Sequence, residues 1–449
     1  MTEQELKNQP QQKSSEGITR ITVAGFKSIV QEQSIEVRPL TILAGANSSG
    51  KSSIMQPLLL LKQTLDATYD PGALLLNGPN VRFTSIEQIL SRVNKGQDVK
   101  SFHVGAEIST GDALTTYFTR GKNKRLDVEH TVYASKHGQY DVYRNISSSA
   151  IRSAFSLMYD GQLVYKDVVD ELWKGVKHHI TIDRNRCFLT FSLGTTTISD
   201  FFASEPIVGK YIRQIIHLSS LRGNPERTYP VTAVGTEFPG TFEKYVASVI
   251  GQWQADGNTK TLAKVNRDLA RLSLTGGVVA EPIDDTQVEL LIHRYSTGDA
   301  FYHEDMVSIA DVGLGISQTL PVIVALHAAS PGQLIYVEQP ELHLHPRAQS
   351  AMAEVLADAA IQGTRMVVET HSSLLLLGIQ TLVAEGKLPP ELVKLHWFQR
   401  RDDGSTQITS ADLDETGAFG DWPEDFAEVT LSSESRYLDA AQARMLKGK

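Results

Sequence analysis

The stretch Gly45-Ala46-Asn47-Ser48-Ser49-Gly50-Lys51-Ser52-Ser53 matches the pattern G-x-x-x-x-G-K-[ST] at every fixed position. The apolar run before it, Leu40–Ala44, is typical of a short buried strand, and Ile54–Leu65 after it is predicted to form a helix. This strand, loop and helix are the context that a phosphate-binding loop requires. The glycines let backbone N–H groups surround phosphate oxygens, Lys51 adds a positive charge, and the Ser52 hydroxyl can bind magnesium.

The composition is that of an ordinary globular protein. The chain has 449 residues, of which 41% are apolar and 21% charged, and this length fits about two or three domain-sized units. The net charge is −9, so any contact with DNA would depend on a local basic patch or on a partner. The only cysteine, Cys187, excludes an internal disulfide and a thiolate metal cluster. No apolar run is long enough to cross a bilayer and the N terminus does not resemble a signal peptide, so we expect a cytoplasmic protein without a membrane partner.

Periodicity predicts the remaining elements. Residues 18–23 and 34–37 alternate as two antiparallel strands that lead into the strand before the phosphate loop. Strands are further predicted at 102–145 (as antiparallel hairpins), 180–182, 187–193, 215–218, 288–293, 306–309 and 366–368, and helices at 85–93, 147–176, 241–254, 259–272, 320–327 and 374–385. A last hairpin is predicted from 393–398 with 406–410. The chain lacks a sustained heptad repeat, which excludes a long coiled-coil arm.

A second group of motifs follows far downstream. The apolar run 334–337 ends in Glu338, and an acid at the end of such a strand is how P-loop proteins hold magnesium through water. Upstream of it, Gly313, Gly315, Ser317 and Gln318 precede an apolar helix. These residues can form an anion-binding helix N-terminus or merely a glycine-rich turn capped by Ser317.

A histidine follows the next predicted strand. His371 stands in Glu369-Thr370-His371-Ser372-Ser373, where it can contact a γ-phosphate or be a structural residue. His343 and His345 together with His371 could also suggest a zinc site, but neither a cysteine nor a third closely spaced ligand supports one.

The order of these motifs resembles the ABC-type ATPases of the RecF and SMC group. More closely, residues 313–321, 338–346 and 369–373 resemble the compact bacterial ATPases related to the OLD proteins. The segments 218–227 and 417–426 are similar to a subgroup with a short C-terminal domain of unknown function. The resemblance spans roughly residues 18 to 430.

The resemblance implies an α/β fold: an ABC-type P-loop ATPase head, with a mixed sheet of antiparallel N-terminal strands plus a parallel core. It also implies a division into a disordered tail (1–17), the N-terminal part of the head (18–110), an α+β insertion (111–280), the C-terminal part of the head (281–385) and a small C-terminal region (386–449).

The same resemblance implies a site shared between protomers. ATP bound by residues 45–53 of one protomer would be closed over by Gly313, Gly315, Ser317 and Gln318 of another, so we expect a homo-oligomer of at least two heads. His371 would act as a switch histidine, and Ser52 with Glu338 would hold Mg²⁺. Gln88 is one candidate for the glutamine that joins the magnesium shell in such proteins.

One position departs from the pattern of ordinary ABC ATPases. The residue after the magnesium-binding acid is usually a glutamate that orients the attacking water, and here it is Gln339. An amide cannot accept a proton from water, so either Glu341 serves as the general base or hydrolysis is slow.

Three functions fit the sequence. Only 78 residues follow His371, too few for the Toprim nuclease domain of the DNA-cleaving OLD proteins. The first reading is therefore an ATPase that serves as sensor or scaffold for a separately encoded effector, a nuclease or toxin, in anti-phage defence. The second is a RecF-like protein that binds DNA itself, through clusters at Arg120, Lys122, Lys124 and Arg125 and at Arg222 and Arg227. The third is an ATP-binding assembly module with little hydrolysis.

Overall fold

The computed structural model describes residues 16–92, 99–121, 125–144, 179–194, 206–294 and 305–420. The expected N-terminal tail up to residue 15, the predicted helix at 147–176 and the end segment from residue 421 lie outside these ranges.

The strands, in chain order, are β1 (Ile18–Ala24), β2 (Gln33–Glu36), β3 (Leu40–Gly45), β4 (Ser101–Ile108), β5 (Ala113–Arg120), β6 (Leu126–Ser135), β7 (Gly138–Tyr143), β8 (His179–Asn185), β9 (Phe188–Gly194), β10 (Ile216–Leu218), β11 (Tyr229–Pro230), β12 (Val278–Pro282), β13 (Gln287–His293), β14 (Met306–Ser308), β15 (Leu334–Glu338), β16 (Arg365–Glu369), β17 (Val393–Arg400) and β18 (Thr406–Ala411). The α-helices are α1 (Lys51–Asp66), α2 (Ile207–Arg213), α3 (Val246–Ala255), α4 (Thr259–Arg271), α5 (Leu314–Ala328), α6 (Pro346–Ile361) and α7 (Ser373–Ala384).

The sheet that carries the phosphate loop has the order β10-β15-β16-β3-β17-β18. The strands β10, β15, β16, β3 and β17 run parallel to one another, and β18 runs antiparallel to β17. Strands β3 and β16 are buried along their whole length, because helices and a second sheet cover their two faces. The continuous apolar runs in the sequence reflect this burial.

Alternate residues of β3 face two different cores. Leu40 and Ile42 belong to the core shared with α3 to α7, whereas Leu43 belongs to the core shared with α1 and the N-terminal strands. Each such buried side chain contributes about 1.5–3 kcal/mol relative to its exposed form. The end of β3, and with it the start of the phosphate loop, is therefore held from both sides.

The N-terminal strands form a sheet of their own, β2-β1-β4-β5-β6-β7, which is antiparallel throughout. The α/β class with antiparallel N-terminal strands and a parallel core is confirmed, as are the predicted hairpins across 102–145. The two strands before β3 do not share its sheet, because β3 pairs with β16 and β17 instead. The division into five ranges stays a prediction; β10, within the expected insertion, is the edge strand of the phosphate-loop sheet.

Two helix predictions need correction. The helix predicted at 85–93 is only a single 3-10 turn, Ile86–Gln88, because the backbone of Ile89 and Leu90 bonds instead to residues 26 and 27. The helix predicted at 320–327 begins six residues earlier, at Leu314, so Gly315, Ser317 and Gln318 belong to its first turns. Within the described ranges, no helix is both long enough and apolar enough to cross a membrane.

Candidate nucleotide site

Two glycines with positive φ shape the loop between β3 and α1. Gly45 has φ of 145° and Gly50 has φ of 101°. A side chain at Gly45 would collide with the carbonyl of Phe398, and one at Gly50 with the hydroxyl of Thr406. Both glycines are therefore required by the close approach of strands β17 and β18 as well as by their own dihedral angles.

Lys51, the first residue of α1, points back over the loop. Its Nζ donates hydrogen bonds to the carbonyl oxygens of Gly45 (3.0 Å) and Ala46 (2.9 Å). Burial lowers the pKa of Lys51, while the negative charges of Glu369 and Glu341 act in the opposite direction. The ammonium group therefore lies at the centre of the loop. A phosphate oxygen bound there can replace the two carbonyl oxygens as the acceptor of its hydrogen bonds.

Ser52 contacts a carboxylate that the sequence reasoning did not single out. Its hydroxyl lies 3.1 and 2.9 Å from the two carboxylate oxygens of Glu369, the last residue of β16. The buried Tyr336 donates its own hydroxyl to the same carboxylate at 2.9 Å. Burial raises the pKa of Glu369, and the nearby charge of Glu338 raises it further.

Glu338, predicted to hold magnesium, lies beside Glu369 because the two residues are in register on β15 and β16. One of its carboxylate oxygens lies 3.3 Å from Nε2 of His217, and the other accepts the N–H of Ser220 at 3.2 Å. Burial alone would raise the pKa of Glu338, but these hydrogen bonds outweigh it and lower the pKa. The carboxylate is therefore held toward β10.

Gln339 and Glu341 turn the chain back toward the phosphate loop. Gln339 is left-handed, with φ of 47°, and its N–H donates to the carbonyl of Glu369 at 2.7 Å. Oε1 of Glu341 accepts hydrogen bonds from the hydroxyl of Thr370 (2.8 Å) and the N–H of His371 (2.9 Å). Oε2 of Glu341 is buried and has no hydrogen-bond partner among the described residues.

His371 lies where two cavities beside the loop meet. Both cavities, of about 500 and 450 Å³, have His371 and residues of the phosphate loop in their walls. Burial lowers the pKa of His371 and the charge of Lys51 lowers it further, so the ring is neutral near pH 7. A neutral imidazole can donate one hydrogen bond to a phosphate oxygen.

The larger of these cavities, which we call the phosphate cavity, is lined by Lys51, Ser52, Glu369 and further cationic side chains. The cations are Lys27, Arg92 and Arg400, and Gln88, the proposed magnesium-shell glutamine, also lines it. Its volume suits a small ligand, and its cations suit a polyphosphate.

The hairpin of β17 and β18 forms one side of the phosphate loop. The hydroxyl of Thr406 lies 2.7 Å from the carbonyl oxygen of Ser49, and Arg400 donates to the carbonyl of Ser48 at 3.3 Å. The sequence predicted this hairpin but assigned it to a separate C-terminal region. Its register against β3 is set by packing, which no local pattern reveals.

The four glycine-signature residues fall into two pairs. Gly313 is exposed at the N-cap of α5 and Gly315 is half-buried, and the helix start has no side-chain cap. Ser317 and Gln318 are buried within their own chain. The Ser317 hydroxyl donates to the carbonyl of Leu314 (3.2 Å), and the Gln318 amide bonds to the backbone of residues 222 and 223. Contact with a second protomer stays a prediction for all four.

Arg222 joins this helix to the strand that carries Glu338. The buried guanidinium donates to the carbonyl of Gln318 (3.0 Å) and to the carbonyl of Glu338 (2.7 Å). Burial lowers the pKa of Arg222 to about 10, so it remains charged near pH 7. A cavity of about 840 Å³ between the 219–230 loop and α5 has Arg222 and Ser317 in its wall.

Three of the four arginines proposed for DNA binding have partners within the protein. Arg120 pairs with Glu87 at 2.8 Å, Arg227 pairs with Asp311 at 2.7 Å, and Arg222 is buried as described. Lys122 and Lys124 lie outside the described ranges. The geometry of these arginines therefore adds no support for a DNA-binding surface.

The zinc alternative also gains no support. His345 caps α6 with its Nδ1, which accepts the N–H of Arg347 at 3.4 Å. Across the part of the chain that the structure describes, no group of three His, Cys, Asp or Glu side chains is placed to hold a metal ion.

Magnesium differs, because it usually takes one or two carboxylates and completes its shell with phosphate oxygens and waters. The Ser52 hydroxyl and the carboxylates of Glu369 and Glu338 are the hard oxygen donors that this ion prefers. The donor set therefore fits Mg²⁺ bound together with a nucleotide.

A family model described as "AAA domain, putative AbiEii toxin, Type IV TA system" matches residues 40–200 and 217–377, which is more than half of the chain. The chain belongs to this AAA family. The matched ranges include the phosphate loop, Glu338, Glu369 and His371 and end before the β17–β18 hairpin. Comparison with curated proteins gives no match.

Among solved structures, the AAA-family chain is similar to SMC head domains. An SmcHead bound to the C-winged helix domain of ScpA has 14% identity and a TM-score of 0.47, covering 89% of this chain and 98% of that one. The SMC head domain from Thermotoga maritima has 11% identity and a TM-score of 0.40, covering 88% and 98%. The Smc head domain from Pyrococcus furiosus, with an extended coiled coil and bound to the C-terminal domain of ScpA, has 11% identity and a TM-score of 0.47, covering 95% and 100%.

Proposed function

We propose that this protein is an ATPase of the OLD-like kind that binds ATP and Mg²⁺ between head-to-tail protomers. The observation that carries the proposal is the convergence of Lys51, Ser52, two strand-end carboxylates and His371 around one loop. These groups supply the positive charge, the metal ligands and the phosphate contact that a nucleoside triphosphate needs.

Hydrolysis belongs to the same proposal. Glu341 accepts hydrogen bonds from Thr370 and His371 with one oxygen, and its other oxygen is buried without a hydrogen-bond partner among the described residues. A water molecule that enters beside this second oxygen with the nucleotide would find in it a proton acceptor. Gln339 cannot accept a proton, so hydrolysis is slow unless Glu341 serves as the base.

The biological role that we propose is a sensor or scaffold for a separately encoded effector, a nuclease or toxin, in prokaryotic anti-phage defence. The family description names a toxin–antitoxin system, which accords with a role beside another gene product. Purified protein that cleaves DNA by itself with a metal ion would contradict a scaffold role.

Nucleotide binding is tested with a fluorescent ATP analogue followed by anisotropy. Lys51→Ala should weaken binding about 100-fold, because it removes a charge-assisted contact from a buried site. Lys260→Ala is the matched control, since Lys260 also stands near a helix start but is exposed. Equal affinity of wild type and Lys51→Ala would refute the proposed site.

Head-to-tail closure is tested at Gly313. A side chain there meets no atom within 4 Å, and φ is an ordinary −63°, so substitution leaves the monomer intact. Aspartate and serine both cap a helix well, but only aspartate places a negative charge against the partner's triphosphate.

We therefore expect Gly313→Ser to dimerise with Mg-ATP and Gly313→Asp to remain monomeric, as measured by light scattering after gel filtration. Wild type that stays monomeric at saturating Mg-ATP, or Gly313→Asp that dimerises as wild type does, would contradict closure at this helix.

A further inference from the structure

Ser52 of the phosphate loop is hydrogen-bonded to the carboxylate at the end of β16, whereas the sequence motif points to the acid at the end of β15. Both oxygens of Glu369 lie within 3.1 Å of the Ser52 hydroxyl. Glu369 directly precedes Thr370 and His371, and nothing in the phosphate-loop pattern assigns it a role. Its position therefore needs an explanation of its own.

The spacing of these oxygens matches the edge of a magnesium coordination shell. Mg²⁺ holds six oxygens at 2.0–2.1 Å in an octahedron, which puts neighbouring ligands about 2.9 Å apart. The Ser52 hydroxyl and Oε2 of Glu369 are separated by 2.9 Å. An ion can therefore bind both oxygens with little change in either side chain.

The surroundings hold this carboxylate in place. Tyr336 is fully buried and donates its hydroxyl to Oε2 of Glu369, a contact of the kind that orients a metal ligand from behind. Strand β16 lies between β3 and β15, so its last residue cannot shift without disturbing two neighbouring strands.

Glu338 has hydrogen-bond partners on the other side, toward β10. One of its oxygens is engaged with His217 and the other accepts the N–H of Ser220. To join the Ser52 hydroxyl on one ion, this carboxylate would have to give up contacts that involve both of its oxygens. In the arrangement described, it is suited to accept hydrogen bonds from waters around the ion.

We propose that Glu369, with Ser52, supplies the protein ligands of the Mg²⁺ that accompanies the nucleotide, and that Glu338 acts outside the first coordination shell. This inference rests on the proposed Mg-ATP site. It adds a direct carboxylate ligand from β16, the strand next to β3, to the water-mediated contact that the motif implies for Glu338.

The test measures how nucleotide binding depends on magnesium. The full chain is titrated with Mg²⁺ at a fixed concentration of the fluorescent ATP analogue, and binding in EDTA gives the metal-free affinity. The variants are Glu369→Gln and Glu338→Gln. Glu391→Gln is the matched control, since Glu391 is exposed and lies outside both cavities beside the phosphate loop.

We expect Glu369→Gln to raise the half-saturating Mg²⁺ concentration about 10- to 100-fold while the affinity in EDTA stays within about twofold, as for loss of a metal ligand or its close support. Glu338→Gln should shift the half-saturating Mg²⁺ concentration less than Glu369→Gln does, and Glu391→Gln should leave it unchanged. With Mn²⁺ in place of Mg²⁺, the electron paramagnetic resonance signal of protein-bound Mn²⁺–ADP should be lost in Glu369→Gln and kept in Glu338→Gln.

The inference would be overturned if Glu338→Gln raised the half-saturating Mg²⁺ concentration more than Glu369→Gln does, or if Glu369→Gln left it unchanged. Glu369 would then only hold the Ser52 side chain in place. If Glu369→Gln does not fold, the Tyr336→Phe variant tests the inference in its place. This variant keeps the carboxylate but removes the hydroxyl that orients it, and should raise the Mg²⁺ requirement about threefold or more. An unchanged requirement in Tyr336→Phe would also count against it. Wild type that binds no nucleotide under any condition would instead refute the proposed function.

Discussion

Replacing Gly50 with alanine tests whether the β17–β18 hairpin fixes the shape of the phosphate loop. Gly50 has φ of 101°, a conformation that costs a residue with a side chain about 1–3 kcal/mol. Its new methyl group would also lie closer than 3.0 Å to the hydroxyls of Thr406 and Ser28. Overpacking of this kind costs about 1–3 kcal/mol more, so the total expected loss is about 4 kcal/mol.

Gly72→Ala is a control that isolates the backbone cost. Gly72 has nearly the same φ, 98°, and an added methyl group there meets nothing within 4 Å. Its substitution should therefore cost only about 1–3 kcal/mol. The difference between the two variants, about 2 kcal/mol, measures how tightly Thr406 and Ser28 are packed against the loop.

The assay is urea unfolding followed by circular dichroism, with refolding checked for each variant. In a Thr406→Ala background the additional cost of Gly50→Ala should shrink, which a double-mutant cycle detects as a coupling of about 1–2 kcal/mol. Equal losses in Gly50→Ala and Gly72→Ala, or no coupling to Thr406, would refute the idea that the hairpin supports the loop.

Two further predictions concern catalysis and pH. Glu341→Gln should lower ATP turnover about 10-fold or more and far more than Gln339→Ala, because the amide keeps both accepted hydrogen bonds but cannot take a proton; turnover equal to wild type would remove Glu341 as the base. Burial lowers the pKa of His396 from 6.5 to about 4, so the fold favours the neutral ring, and the stability it contributes above pH 6.5 is lost as the pH falls toward 4. That loss amounts to about 3 kcal/mol of unfolding free energy in wild type. In His396→Gln the unfolding free energy should depend less steeply on pH, and a slope equal to that of wild type would contradict this assignment to His396.

The strands of the parallel core could be predicted because their burial leaves a signal within each short segment of sequence. Strands β3, β15 and β16 are covered on both faces, so each must read as an uninterrupted apolar run. The phosphate loop could be predicted because its glycines and lysine stand at fixed spacings. Motif and burial together therefore predicted the region of the candidate site, although not the contacts within it.

The contacts that escaped prediction depend on pairing between distant segments. Glu369 ends an apolar strand just as Glu338 does, and the same rule could have named it, but only the strand order puts it next to Ser52. The support that Thr406 gives the loop is likewise invisible locally, since the hairpin that carries it pairs with β3 across most of the chain.

Helix boundaries failed for a different reason. Residues 85–93 have a good N-terminal serine and suitable apolar spacing, yet the backbone of Ile89 and Leu90 is used by Phe26 and Lys27. At α5, the glycines and Ser317 were placed before the helix, as its anion-binding N-terminus or as a turn. Ser317 instead lies within the helix and bonds to Leu314 of the first turn, and Gln318 is fixed by its contact with the distant Arg222.

The partners of β3 in its sheet are made late during synthesis. Strand β16 follows β3 by roughly 320 residues, and β17 comes later still. At a translation rate of about 5–20 residues per second, the nascent phosphate loop waits tens of seconds for both neighbours. The antiparallel N-terminal sheet can assemble on the ribosome in the meantime. The proposed nucleotide site is therefore complete only after β17 has been made, and a chain truncated before β17 carries the whole loop motif without the second strand that flanks β3.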